Sequence, residues 1–109
     1  MVLETKALKK MHTRIIKNFL DVLILTELRK NVISGYDIIG LVHNKFRVLV
    51  SSGTVYSLLY SMEREGLIKG SWNQRKRVYI LTEKGEETIE AILNANNEIQ
   101  SLVKSLLSY

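Results

Sequence analysis

The stretch SSGTVYSLLYSMEREGLIKGSWNQRKRVYIL, residues 51–81, decides the reading of this chain. Its first part has helical period: Val55, Leu58, Leu59 and Met62 fall at i, i+3, i+4 and i+7, so one stripe of a helix over residues 52–65 faces a core. Ser51 or Ser52 can cap the first free amides, and Gly66 suits a left-handed C-terminal cap. The other face carries Ser52, Thr54, Tyr56, Ser57, Tyr60 and Ser61, with no acidic residue before Glu63. Beyond Gly66 two β-prone runs, Leu67-Ile68 and Val78-Tyr79-Ile80-Leu81, flank a polar tip, Asn73-Gln74-Arg75-Lys76-Arg77, which makes a hairpin.

A solvated helix would ordinarily carry Glu and Lys where this one carries hydroxyls and aromatic rings. A face without carboxylates can approach phosphates and base edges without repulsion, and the free N–H groups at the helix start favour a phosphate nearby. Adjacent cations at a hairpin tip repel one another unless an anion lies beside them. Basic loops are common, but this one follows the helix at the separation a wing requires. The sequence thus predicts a winged helix-turn-helix, its helix entering the major groove and its wing reaching the backbone or minor groove. The candidate DNA-binding residues are Ser51, Ser52, Thr54, Tyr56, Ser57 and Tyr60 on the helix, with Asn73, Gln74, Arg75, Lys76 and Arg77 on the wing (residues 69–81).

Length and charge agree. The 109 residues suit one domain, and a 46% hydrophobic composition supports a small core that gains from oligomerisation. Net charge is +5, distributed unevenly: residues 1–82 hold 14 Lys+Arg against 6 Asp+Glu, whereas residues 83–109 hold 2 against 5. Such asymmetry implies one surface facing a polyanion and another engaged elsewhere. The cationic segment 5–20, with Lys6, Lys9, Lys10, Arg14 and Lys17, also loosely fits an amphipathic helix on an anionic membrane. With no cysteine there is no disulfide framework and no zinc–thiolate site, and no apolar run has the length of a signal region or a membrane span. The expectation is a cytoplasmic protein without a cofactor.

Upstream, Leu8, Met11, Ile15, Phe19, Val22, Leu23, Leu25 and Leu28 predict one long helix, or two joined by a slight bend, over about residues 4–30. Ser34 caps a following helix whose apolar side is Ile38, Ile39, Leu41, Val42 and Phe46. Downstream, Thr82 caps a helix with Glu83, Glu86 and Glu87 in its first turns. From there Ile89, Ile92, Asn96, Ile99, Val103 and Leu106 step by heptad spacing, with Asn96 as a polar seam residue and Leu93 widening the face. This spacing predicts a homodimer built on a C-terminal helix over residues 83–109. A helix packed on its own domain would show the same period.

Three segments together resemble the PadR-type winged-helix transcriptional regulators: SGYDIIGLV at 34–42, SSGTVYSLLYSMEREGLI at 51–68 and RKRVYILTEKGEE at 75–87. Ser57 stands where the family commonly has proline, and the N-terminal extension is longer than usual. The resemblance implies a mainly α fold with a small β-hairpin (α+β). The resemblance covers roughly residues 20–87; the expected organisation is a winged helix-turn-helix domain over residues 1–82, including the N-terminal helix, and a C-terminal dimerisation helix over 83–109, in one compact domain. The resemblance also implies a regulator of transcription rather than an enzyme. Some members bind small-molecule effectors beside the dimer region; no residue here can be matched to that role.

Catalysis has no support in the sequence. His12 and His43 lie on different predicted helices without a carboxylate cluster, and Gly66 and Gly70 read as turn residues, not a phosphate loop. The reading is a homodimeric, sequence-specific DNA-binding regulator, a repressor because so short a chain has little room for an activating domain. Its partner is double-stranded DNA carrying an inverted repeat. The alternative is a protein–protein interaction module on the same scaffold.

Overall fold

Residues 5–108 are described in a computed structural model. In chain order they form α1 (Lys6–Asn18), α2 (Leu20–Leu28), β1 (Ile33–Ser34), α3 (Gly35–Phe46), α4 (Ser52–Arg64), β2 (Ile68–Asn73), β3 (Lys76–Leu81), α5 (Glu83–Asn94) and α6 (Asn96–Leu106). The expected ends at residues 4 and 109 lie outside the described residues. The fold is mainly helical with a small antiparallel sheet of order β1-β3-β2.

The elements begin where polar side chains can cap them. Thr5, Ser34, Ser51 and Thr82 accept the N–H of Leu8, Asp37, Thr54 and Gly85 at the starts of α1, α3, α4 and α5. At Ser34 the bond is reciprocated, since the Asp37 carboxylate accepts the Ser34 N–H at 2.9 Å. Helix α4 stops at Gly66, whose φ of +79° only glycine adopts freely. There the Gly66 N–H donates to Glu63 O and the Leu67 N–H to Met62 O, both at 3.0 Å, the bond pair of a Schellman cap.

The core gathers Leu20 and Ile24 of α2, Ile38 and Val42 of α3, Val55 and Leu59 of α4, Ile68 of β2 and Ile89 of α5, all fully buried. Met62 is buried too, while Leu58, the fourth member of the expected stripe, is half-buried. Between α3 and α4, Val48 and Val50 turn inward and Leu49 outward. This alternation of an extended segment pins the turn that carries α4.

Two long helical predictions divide. The N-terminal one bends at Phe19 (φ −105°, ψ 18°), although the Phe19 N–H still donates to Ile15 O and the Leu23 N–H to Phe19 O. The C-terminal one, expected as a single helix, breaks at Ala95 (φ −92°, ψ 15°), so the heptad seam runs over two helices. Neither site holds Pro or Gly, the usual sequence marks of a bend. Strand β1 is a further addition: Ile33 pairs with Tyr79 and Ser34 with Val78 on the free edge of β3.

Candidate nucleic-acid interface

Because Val55, Leu59 and Met62 hold α4 to the core, its opposite face is fixed and open. Ser51, Ser52, Thr54, Tyr56, Ser57, Tyr60 and Ser61 are all exposed. The Ser51 hydroxyl accepts the Thr54 N–H at 3.1 Å and donates to Thr54 Oγ1 at 2.8 Å, which orders the first turn. The Tyr56 ring lies against Gly35, joining α4 to the start of α3, and Arg64 sits 5.7 Å from the centre of the Tyr60 ring. No acidic residue occurs on α4 before Glu63, and Glu63 points at the wing.

The wing is a two-residue hairpin. Asn73 pairs with Lys76, so Gln74 and Arg75 alone form the turn, Gln74 at a φ of +59°. The expected tip, Asn73 to Arg77, is therefore divided: Arg75 is in the turn, while Lys76 and Arg77 belong to β3. Side chains along a strand alternate between its faces, so consecutive Lys76 and Arg77 point in opposite directions. Lys76 reaches Asp37 at 3.4 Å, with side chains 54% and 41% exposed. Arg77 instead turns in towards α4 and meets Glu63 at 3.1 Å.

The Ser34 N–H bonded to its carboxylate is the largest influence holding Asp37 below the ordinary Asp range; partial burial opposes it, and the Ser34 hydroxyl and Lys76 assist. Asp37 is thus ionised at neutral pH and couples the start of α3 to β3. Between α3, α4 and the wing lies a recess of about 430 Å³ lined by Tyr36, Tyr56, Trp72, Arg75, Lys76 and Arg77 among others. Tyr36, 75% exposed, was missed as a candidate from sequence. The signal was present, since an aromatic directly after the capping Ser34-Gly35 has no place on the apolar stripe of α3.

The candidate dimerisation residues separate. Ile89 is 0% exposed and packs in the domain's own core. Ile92 and Ile99 are half-buried, whereas Leu93, Asn96, Val103 and Leu106 are exposed. The Asn96 carboxamide oxygen accepts from Gln100 at 2.8 Å on its own helix. Phe19, Val22, Ile92, Leu93, Asn96 and Ile99 line one recess joining the α1–α2 bend to α5 and α6. Leu8, Met11 and Ile15 on α1 and Leu102 and Leu107 on α6 add further exposed apolar surface.

Among the described residues no helix is long and apolar enough to cross a membrane, and no cluster of His, Cys, Asp and Glu could hold a metal ion. His12 Nε2 lies 2.8 Å from Phe46 O and ties α1 to the end of α3.

A helix-turn-helix (α3, α4) followed by a hairpin wing and flanked by helices on both sides defines a winged-helix protein. Residues 24–91 match the transcriptional regulator PadR-like family, and the chain belongs to it. It is similar to a PadR-like transcriptional regulator from Bacillus cereus, with 26% identity, TM-score 0.74, and 88% of this chain and 98% of that one covered. A PadR family transcription regulator from Clostridium difficile is also 26% identical, with TM-score 0.73 and coverage of 83% and 99%. One from Eggerthella lenta shares the fold at TM-score 0.78 with 20% identity, over 94% and 93% of the two chains. Comparison with curated proteins returns no match.

Proposed function

We propose that this PadR-like regulator is a homodimeric, sequence-specific DNA-binding repressor. The observation that carries the reading is the exposed, carboxylate-free face of α4 beside a wing whose turn residue Arg75 has no ion-pair partner among the described residues. On this reading α4 lies in the major groove, where Thr54, Tyr56, Ser57 and Tyr60 meet base edges. Ser51, Ser52 and the amides at the start of α4 hold a phosphate, and Asn73, Gln74, Arg75 and Lys76 hold the flanking backbone or minor groove.

The same proposal assigns residues 1–82 to DNA binding and 83–109 to pairing. Its support is the apolar surface left open on α1, α5 and α6: Leu93, Val103 and Leu106 together with Leu8, Met11, Ile15 and Phe19. Ile92, Asn96 and Ile99 continue that surface, and α5 does double duty because Ile89 anchors it in the core. A symmetric pair presents two copies of α4, which calls for an inverted repeat with half-sites about 10 base pairs apart or a multiple of that spacing. Repression then follows by occupying DNA that the transcription machinery needs.

Selection from a randomised duplex library tests this. Enrichment of an inverted repeat, bound by two chains per duplex, is the expected result. Failure to enrich any sequence would reject it and favour a module that docks a protein partner.

A further inference from the structure

We propose that Arg77 and Glu63 form a clasp that sets the angle of the wing against the recognition helix, making them positioning residues and not phosphate contacts. The proposal rests on the DNA-binding reading above and changes the role of a cation that the sequence groups with Arg75 and Lys76.

Four observations converge on Arg77. Its Nη2 lies 3.1 Å from Glu63 Oε2 and 3.4 Å from Oε1, with both side chains 33% exposed. Its guanidinium is 5.6 Å from the centre of the Trp72 ring and 5.9 Å from that of Tyr79, so it rests among aromatic groups on the inner face of the hairpin. A methyl on Gly70 would come within 2.6 Å of the same Nη2, so β2 leaves room for the guanidinium only because glycine stands there. Finally, Glu63 Oε2 also accepts the Gly70 N–H at 3.1 Å.

One carboxylate on the last turn of α4 therefore holds the backbone of β2 and the side chain of β3 together. Charge-assisted bonds with several partners in a half-covered site resist exchange far better than an exposed lysine pair. The contrast lies next door. Lys76 and Asp37 meet at 3.4 Å with about half of each side chain exposed, so a phosphate can take Lys76 at little cost. Withdrawing Arg77 would leave Glu63 without its counter-charge, held to the wing by the Gly70 N–H alone, and loosen the hairpin, so the wing would no longer reach the backbone in register with α4.

The experiment uses the full chain with Arg77→Ala, Arg77→Lys, Glu63→Ala, the Arg77→Ala/Glu63→Ala double variant and Arg75→Ala as comparison. The probes are the duplex selected by the wild-type chain and a random duplex. The clasp predicts that Arg77→Ala, Arg77→Lys and Glu63→Ala each reduce discrimination between the two duplexes by a similar factor, on the order of tenfold, and that the double variant is no worse than either Ala variant. It predicts an unchanged salt slope for Arg77→Ala, against a loss of about one unit for Arg75→Ala. Trp72, the only tryptophan, reports the clasp without DNA: its emission should shift in Arg77→Ala and Glu63→Ala alike.

A slope reduced by about one unit in Arg77→Ala with discrimination intact would make Arg77 a phosphate contact and overturn the proposal. So would a Glu63→Ala variant that binds the selected duplex more tightly with undiminished discrimination. If the wild-type chain fails to distinguish any duplex, the DNA-binding reading falls on its own; unaltered Trp72 emission in both Ala variants would still refute the clasp.

Discussion

Replacing Gly85 with alanine should destabilise the protein, although alanine is the better helix former. Gly85 lies in the first turn of α5, where Thr82 Oγ1 accepts its N–H at 3.1 Å, the Thr82 N–H donates to Leu67 O at 3.2 Å, and Lys84 Nζ donates to Glu65 O at 2.8 Å. The start of α5 is thereby bound to the exit of α4. A methyl on Gly85 would collide with the Leu67 carbonyl oxygen, with the carbonyl carbon and Leu81 Cδ2 each only 3.0 Å away. Backbone cannot rotate aside, so α5 must shift. Helix propensity favours the substitution by about 0.5–1 kcal/mol. Against it stand overpacking, about 1–3 kcal/mol, and strain on the Thr82–Leu67 bond, about 0.5–1.5 kcal/mol. The net loss is about 0.5–4 kcal/mol, and each kcal/mol lowers Tm by roughly 4–8 °C in a domain of this size. Gly40→Ala is the control, because a methyl there meets nothing within 4 Å. With propensity alone at work it should gain about 0.5–1 kcal/mol. Urea unfolding followed by circular dichroism, at one protein concentration because pairing would also contribute, measures both. A Gly85→Ala midpoint at or above wild type would refute the packing argument.

Arg75→Ala should weaken binding to every duplex and lower the log–log salt slope by about one unit, read by fluorescence anisotropy. Asp37→Ala should cost stability at neutral pH. Because the Asp37 pKa is depressed in the fold, that contribution is complete above the ordinary value of 3.8 and disappears as pH falls through the folded value, so wild-type and variant unfolding curves should converge in acid. Cutting the chain after Asn94 removes α6 while keeping Ile89 in the core; sedimentation should show folded protein with much weaker self-association, and an undiminished dimer would shift pairing to α1.

Much of this was legible in sequence because it is local. Ser34, Ser51 and Thr82 mark helix starts through their hydroxyls, Gly66 marks a stop, and the Val55-Leu59-Met62 stripe names the buried side of α4. What escaped depends on partners distant in the chain. Strand β1 is two residues long and exists because β3 offers an edge. The heptad steps could not tell buried Ile89 from exposed Val103, since core and surface positions share one period. The run Arg75-Lys76-Arg77 looks uniform as text, yet where the turn ends decides which cation faces outward and which meets Glu63. The bends at Phe19 and Ala95 carry no breaker residue in the sequence.

The central claim is that α4 and the wing read DNA sequence. It is met most directly by comparing the affinity of the wild-type chain for its selected duplex and for the same bases shuffled, across a range of salt. The account predicts affinity falling linearly on a log–log plot for both, with the selected duplex held on the order of 10³-fold or more tightly at physiological salt. Equal affinity for the two duplexes, or binding indifferent to salt, would contradict it.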